Sequence, residues 1–188
     1  MRPLNVSRGA IAALAFLAVL VLLYLGQRQP GEPLPFDAEV RVALPADAVW
    51  RRMEDLSLAH HYVPGILSTE ITTSSARGVG ASRRVYSSGT DYLNETVIDW
   101  REGRGFTLRL HGDDDSAPAP FSQAEFSYSL IPDGEAQTRV VTRLNVVMSG
   151  GAIGQWFGET LLAGAFEERT RAVAEGLKEF YEAQDVVE

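Results

Sequence analysis

The chain has 188 residues, room for one domain with an extension, and its 45% apolar content is ordinary for a globular protein, so a sizeable core can form. It contains no cysteine, which excludes a disulfide framework, a thiolate nucleophile and cysteine metal ligation. The formal charge of -8 is uneven: residues 1–28 hold three arginines and no acid, leaving 14 basic against 25 acidic residues in the body, a balance that repels nucleic-acid backbones and anionic surfaces and excludes nucleic acid as a partner.

All but one of the 17 basic residues are arginine, which suggests a GC-rich bacterial source. The stretch Gly9–Gly26, "GAIAALAFLAVLVLLYLG", carries no charge. As a helix it would rise about 27 Å, close to the hydrocarbon thickness of a bilayer. Tyr24-Leu25-Gly26 offers no small-x-small cleavage site, so the segment reads as an uncleaved transmembrane anchor rather than a signal peptide. Arg2, Arg8 and the free amino group lie before it and Arg28 alone lies after it. That asymmetry predicts a single-pass protein of the cell membrane, with residues 1–8 cytoplasmic and the body on the outer, periplasmic or extracellular, side. Residues 27–35 form a Pro-rich linker. Residues 36–183 then form the domain and 184–188 a short tail.

Within the body, Phe36–Leu44 alternates as a strand, and Pro45 opens a helix with Val49, Trp50 and Met53 on its apolar face. A second short helix is expected over Leu58–His61, stopped by Pro64-Gly65. Further strands are expected over Thr69–Ser74, Ala81–Ser87, Tyr92–Trp100, Phe106–His111, Ala124–Ile131 and Thr138–Met148. Ile153–Ala183 reads as one long helix, with Leu162, Ala165, Phe166, Val173, Leu177 and Phe180 at spacings of three and four. Antiparallel strands closed by one long helix imply an α+β architecture.

Motifs with chemistry are few. His60 and His61 are adjacent, so on a helix their side chains diverge by about 100° and cannot readily share a metal. A helical zinc pair needs an i, i+4 spacing that the chain lacks, so no metal is expected. "GVGASRR", Gly78–Arg84, precedes a strand rather than a helix and is no dinucleotide fingerprint. "DDD", Asp113–Asp115, lacks the spaced ligands of a calcium loop. No cofactor is expected.

Four segments together resemble the polyketide cyclase/dehydrase family of the SRPBCC (START-like) superfamily. They are "PADAVW…D…HHYVPGI", the Gly-x-Gly-x-x-Arg of "GVGASRRV", "ETV" at Glu95–Val97, and "APF…FSYSLIPDGEAQTRVVTRL". The resemblance spans roughly Val40 to Phe180 and implies a helix-grip fold: a curved seven-stranded antiparallel sheet around a long C-terminal helix, enclosing a cavity. Tyr62 stands where the family usually has Trp, at the cavity rim. Ala124 stands where the family's cavity often has Tyr, which removes one polar contact. The resemblance also implies that Glu95 faces the cavity. Strand alternation and the helix stripe add Val85, Val97, Phe106, Leu108, Phe126, Tyr128, Thr142, Leu144, Leu162 and Phe166 to the expected lining. Arg169 falls inside the helix stripe, where a charge is unusual, and is the expected partner of Glu95.

Two functional classes follow. In the favoured one, the domain binds a hydrophobic small molecule or lipid without catalysis, a polar pair orienting the ligand. In the other it is a cyclase or dehydratase using Glu95 as general acid or base. A lipid or quinone chaperone is a third reading. If the anchor exists, full-length protein will sediment with membranes and resist carbonate extraction; a mature chain beginning near Gln27 would refute it.

Overall fold

The computed structural model describes residues 31–184. The apolar segment Gly9–Gly26, residues 27–30 of the linker and residues 185–188 of the tail lie outside the described residues. Among the described residues no helix is long and apolar enough to cross a membrane. The elements run β1 (Leu34–Val42), α1 (Ala46–Met53), a 3-10 turn (Leu56–Leu58), α2 (Ala59–Tyr62), β2 (Ser68–Ile71), β3 (Ser82–Tyr86) and β4 (Tyr92–Arg101). There follow β5 (Gly105–His111), β6 (Phe121–Pro132), β7 (Thr138–Met148), α3 (Gly151–Phe157), a wide π-type turn (Gly158–Leu162) and α4 (Ala163–Gln184).

The strands form a single antiparallel sheet in the order β1-β7-β6-β5-β4-β3-β2. Strands β2 to β7 follow one another as a meander, and β1 closes against β7. The first two strands therefore occupy opposite edges, and α1 and α2 carry the chain between them. Strand β1 starts at Leu34, inside the expected linker, because Leu34 and Pro35 pair with Val146 and Asn145. An edge strand tolerates that proline.

Alternation along β7 sends Val140, Thr142 and Val146 into the buried face, as the period of two requires. Strand β4 follows the same rule through Glu95 and Val97, then breaks it. A bulge between Val97 and Asp99 shifts the register, so that Trp100 stands opposite Phe106. The bulge turns Trp100 inward, where its ring stacks on Phe106 and meets the edge of Trp50.

Helix α4 buries Thr170, Val173, Ala174, Leu177 and Tyr181 against the concave face. Two positions of the expected stripe, Ala165 and Arg169, are exposed. The expected single helix is also interrupted. The π-type turn adds a residue to one turn and shifts the phase, so that Ile153 and Leu161 do not continue the buried stripe of α4.

One glycine sets how closely α4 approaches α2. A Cβ on Gly176 would overlap the Tyr62 carbonyl oxygen. The backbones touch directly, so there is no flexible side chain to give way. Arg52 of α1 also donates to the Tyr181 carbonyl at 2.6 Å, and the Ala43 amide to Glu182 at 2.9 Å. Gly176→Ala is expected to destabilise the domain by roughly 1–3 kcal/mol, the usual range for overpacking. A urea-unfolding midpoint equal to that of the parent would refute the close contact.

Candidate ligand cavity

The end of α4 that carries Val173 and Tyr181 fills the concave face of the sheet. Toward its N-terminal end the grip loosens and a cavity of about 410 Å³ opens. Val85, Ala124, Phe126, Tyr128 and Val173 form buried wall, with Leu93, Leu110, Leu144 and Phe166 half-buried around them. The mouth is framed by Val63 and Ile66 of the α2–β2 corner, by Ser87, Asp91 and Tyr92 of the β3–β4 hairpin, by Pro118 and Phe121, and by Arg169. Glu95 is the one buried charge on the wall.

Glu95 is held by Arg83. Its Oε2 accepts from Arg83 Nε at 2.6 Å. The two residues face each other across the β3–β4 ladder, so the backbone register makes the pair. Arg83 is fully buried, and its Nη1 donates to the Leu56 carbonyl at 2.8 Å, which ties the pair to the α1–α2 connection. Burial by itself would lower the Arg83 pKa, but Glu95, with Tyr62 and Tyr128 beside it, more than offsets this and holds it above its ordinary value. Burial raises the Tyr128 phenol well above its ordinary pKa, and Tyr62 adds to the effect, so Tyr128 presents a neutral hydroxyl at physiological pH. Arg83 Nη2 and the hydroxyls of Tyr62 and Tyr181 are buried without hydrogen-bond partners. These donors lie behind the cavity wall and not on it.

The expected Glu95–Arg169 pair is not formed. Arg169 is exposed at the mouth, where its Nη1 donates to the Pro64 carbonyl at 2.5 Å and pins the α2–β2 corner. It lines the cavity mouth, whereas the acid's partner, Arg83, does not line the cavity. The sequence did hold the signal for Arg83. That residue stands two before Val85 on the same strand face, and it is the arginine that ends Gly-x-Gly-x-x-Arg.

Of the expected lining residues, Val85, Glu95, Phe126, Tyr128, Leu144, Phe166 and Arg169 are brought together on the cavity. Val97, Phe106, Leu108 and Thr142 point to the same side of the sheet but are fully buried away from the cavity: the first three fill the main core cluster, and Thr142 donates to the Thr170 carbonyl of α4. Tyr62 also lies in that core, its ring edge-on to Tyr128 and Tyr181. Leu162 packs instead with Phe36, Phe121 and Met148 in a second cluster beside the cavity. Alternation alone would have added Leu93 and Leu110, which stand two residues from Glu95 and Leu108.

The histidines are fixed by local contacts. His60 Nδ1 lies 3.1 Å from the Ser57 carbonyl and 3.2 Å from Thr69 Oγ1. His61 is exposed and stacks on Phe180 of α4, with ring centroids 4.9 Å apart. Among the described residues there is no group of three metal-ligating side chains.

A curved antiparallel sheet gripping one long helix, with an apolar cavity between them, defines an SRPBCC-type ligand-binding domain of the helix-grip fold. Residues 34–182 match the family described as "Polyketide cyclase / dehydrase and lipid transport", and the chain belongs to that family. No curated protein sequence matches the chain. Solved structures show the same fold at low identity. A protein from Thermus thermophilus is 20% identical, with 80% of this chain and 99% of that one covered at a TM-score of 0.59. Norcoclaurine synthase from Thalictrum, a point mutant bound to a transition-state analogue, is 16% identical, with 81% and 96% covered and a TM-score of 0.59. The Zhui aromatase/cyclase from Streptomyces sp. R1128 is 18% identical, with 81% and 93% covered and a TM-score of 0.54.

Removing one member of the Arg83–Glu95 pair strands the other. Arg83→Met alone is expected to destabilise by roughly 3–5 kcal/mol, whereas Arg83→Met with Glu95→Leu will recover most of that loss. Equal unfolding midpoints for the single and double variants would refute the pairing.

Proposed function

We propose that this protein is a membrane-anchored binding protein that holds a hydrophobic small molecule or lipid in the α4 cavity without transforming it. The observation that carries the reading is the wall itself. Inside the mouth it is apolar except for one buried acid and the Tyr128 hydroxyl, and that acid already has a charged partner. About 410 Å³ lies within the range of small-molecule sites, which combine apolar lining with a few fixed polar groups. Glu95 and Tyr128 are those groups: one accepts a hydrogen bond and the other can donate one. A ligand with an apolar body and a single hydroxyl or carbonyl end fits both.

A general acid or base must exchange its proton during turnover. Glu95 is poorly suited to this role, because its Oε2 is already engaged by Arg83, which is itself tied to the Leu56 carbonyl. The apolar segment Gly9–Gly26 supports placement at the cell membrane, with the domain on its outer face. No cofactor is needed for binding of this kind. A lipid or quinone carrier would be one form of the same function.

Three measurements test the proposal. Full-length protein purified in native lipid will carry a hydrophobic compound identifiable by mass spectrometry, and that compound will leave unchanged in mass after prolonged incubation. Leu93→Trp, which adds bulk to a half-buried wall position, will abolish uptake of the compound while the thermal unfolding transition persists. Glu95→Gln will weaken binding by roughly 1–3 kcal/mol, the loss when a buried hydrogen-bonding partner goes unsatisfied. Conversion of the compound by the parent protein, lost in Glu95→Gln while binding remains, would make the protein an enzyme and overturn the reading.

A further inference from the structure

Helix α3 and the turn after it are packed inside out. Gly154, Gly158 and the buried Gln155 face the domain. A Cβ on Gly154 would overlap the Ser149 carbonyl oxygen, and one on Gly158 would meet Met148 Sδ at 2.8 Å and Leu34 Cδ1 at 3.1 Å. The large apolar side chains face outward: Ile153 is 69% exposed, Trp156 37%, Phe157 42% and Leu161 59%. Water is a poor environment for so much contiguous apolar surface, and such patches mark interaction sites. No charge accompanies them from Ser149 to Phe166 except Glu159, which accepts from Gln155 at 3.3 Å. On a body this acidic, that is an unusually uncharged face.

The position of the ridge identifies what covers it. Gly158 rests on Leu34, the first residue of β1, so the ridge sits where the chain enters the domain. Upstream of Leu34, residues 27–33 separate the domain from the apolar run Gly9–Gly26. Seven residues reach at most about 25 Å. Wherever that run lies, the ridge is held within this distance of its end. Tryptophan and phenylalanine are the side chains that settle at a bilayer's interface, where an aromatic face meets acyl chain and headgroup together.

We infer that Ile153, Trp156, Phe157 and Leu161 form a lipid-contact surface that lays the domain on the outer leaflet of the bilayer in which the chain is anchored. The inference rests on the anchoring proposed above. It also gives the cavity a defined relation to the membrane. Leu162 ends the turn and packs in one cluster with Phe121 and Phe166, which are both cavity wall. The seated ridge and the wall of the cavity are thus one continuous piece of structure, and a hydrophobic ligand in the leaflet starts beside its binding site.

The absence of cysteine makes the test clean, because one introduced thiol takes one probe. Full-length Ile153→Cys, Leu161→Cys and, as control, Glu135→Cys in the exposed β6–β7 turn would each carry an environment-sensitive fluorophore. Each would be reconstituted into phosphatidylcholine vesicles containing lipids with nitroxide on the acyl chain. The expected result is a blue-shifted emission at positions 153 and 161, quenched several-fold more strongly than at position 135. Equal, weak quenching at all three positions in protein that floats with the vesicles would overturn the lipid contact and leave the anchoring intact. Failure to float would overturn both. Emission already blue-shifted before lipid is added, and unquenched afterwards, would show that residues 1–30 or a second copy cover the ridge and would overturn the inference. Uptake of a hydrophobic dye by the same samples reports separately on the cavity.

Discussion

The helix α4 is gripped tightly at one end and loosely at the other, and most of the molecule follows from that difference. At the tight end, Gly176 lets the Tyr62 backbone touch the helix, and Leu177 and Tyr181 are completely buried. Arg52 and Glu182 tie the same end to α1 and to the end of β1. At the loose end the wall offers Ala124 on β6, where a large side chain would occupy the gap. A protein interior packs to near-crystalline density wherever side chains can interdigitate. The cavity therefore persists only because the residues around it are too small or too well supported elsewhere to fill it.

The boundary between the filled and open ends is drawn by a buried ion pair. Taking Arg83 and Glu95 out of water is expensive, and such pairs seldom add net stability. What this one supplies is definition. Arg83 links β3 to β4 through Glu95 and to the α1–α2 connection through Leu56, so one side chain fixes three segments. It also places a single oriented acceptor on an otherwise apolar surface. Tyr128, kept neutral by its burial, adds the complementary donor. In the proposed function that combination selects a ligand by one polar end.

Two departures from regular geometry set the rest of the architecture. The bulge in β4 turns Trp100 inward, where Glu102 accepts from both Trp100 at 2.8 Å and Trp50 at 3.2 Å and locks α1 over the end of the sheet. The π-type turn before α4 separates two helical phases. After it the apolar stripe faces the sheet; before it glycines face the sheet and the apolar side chains face out. A continuous α-helix would have carried one stripe along its whole length.

Much of this organisation was written in the local sequence. Alternation in β7, the turn clusters between strands and the stripe of α4 determine seven strands closed by a helix, since each signal depends only on neighbours along the chain. The same alternation placed Val85, Phe126, Tyr128 and Leu144 on one face, and the family resemblance placed Glu95 there. It could not say which inward residues meet α4 and which meet open space. Val97, Phe106 and Leu108 share that face with the cavity wall but are enclosed in the main core cluster, a distinction set by how the helices pack on the sheet. The partner of Glu95 was likewise undecidable locally. Arg169 had the better helical address, yet Arg83 stands directly across the ladder, and register between strands is a property of the assembled sheet. The inside-out packing of α3 has the same origin. From Ile153 on, its sequence reads as the start of the long helix, and only contact with Ser149, Met148 and Leu34 shows that Gly154 and Gly158 point in and Trp156 points out.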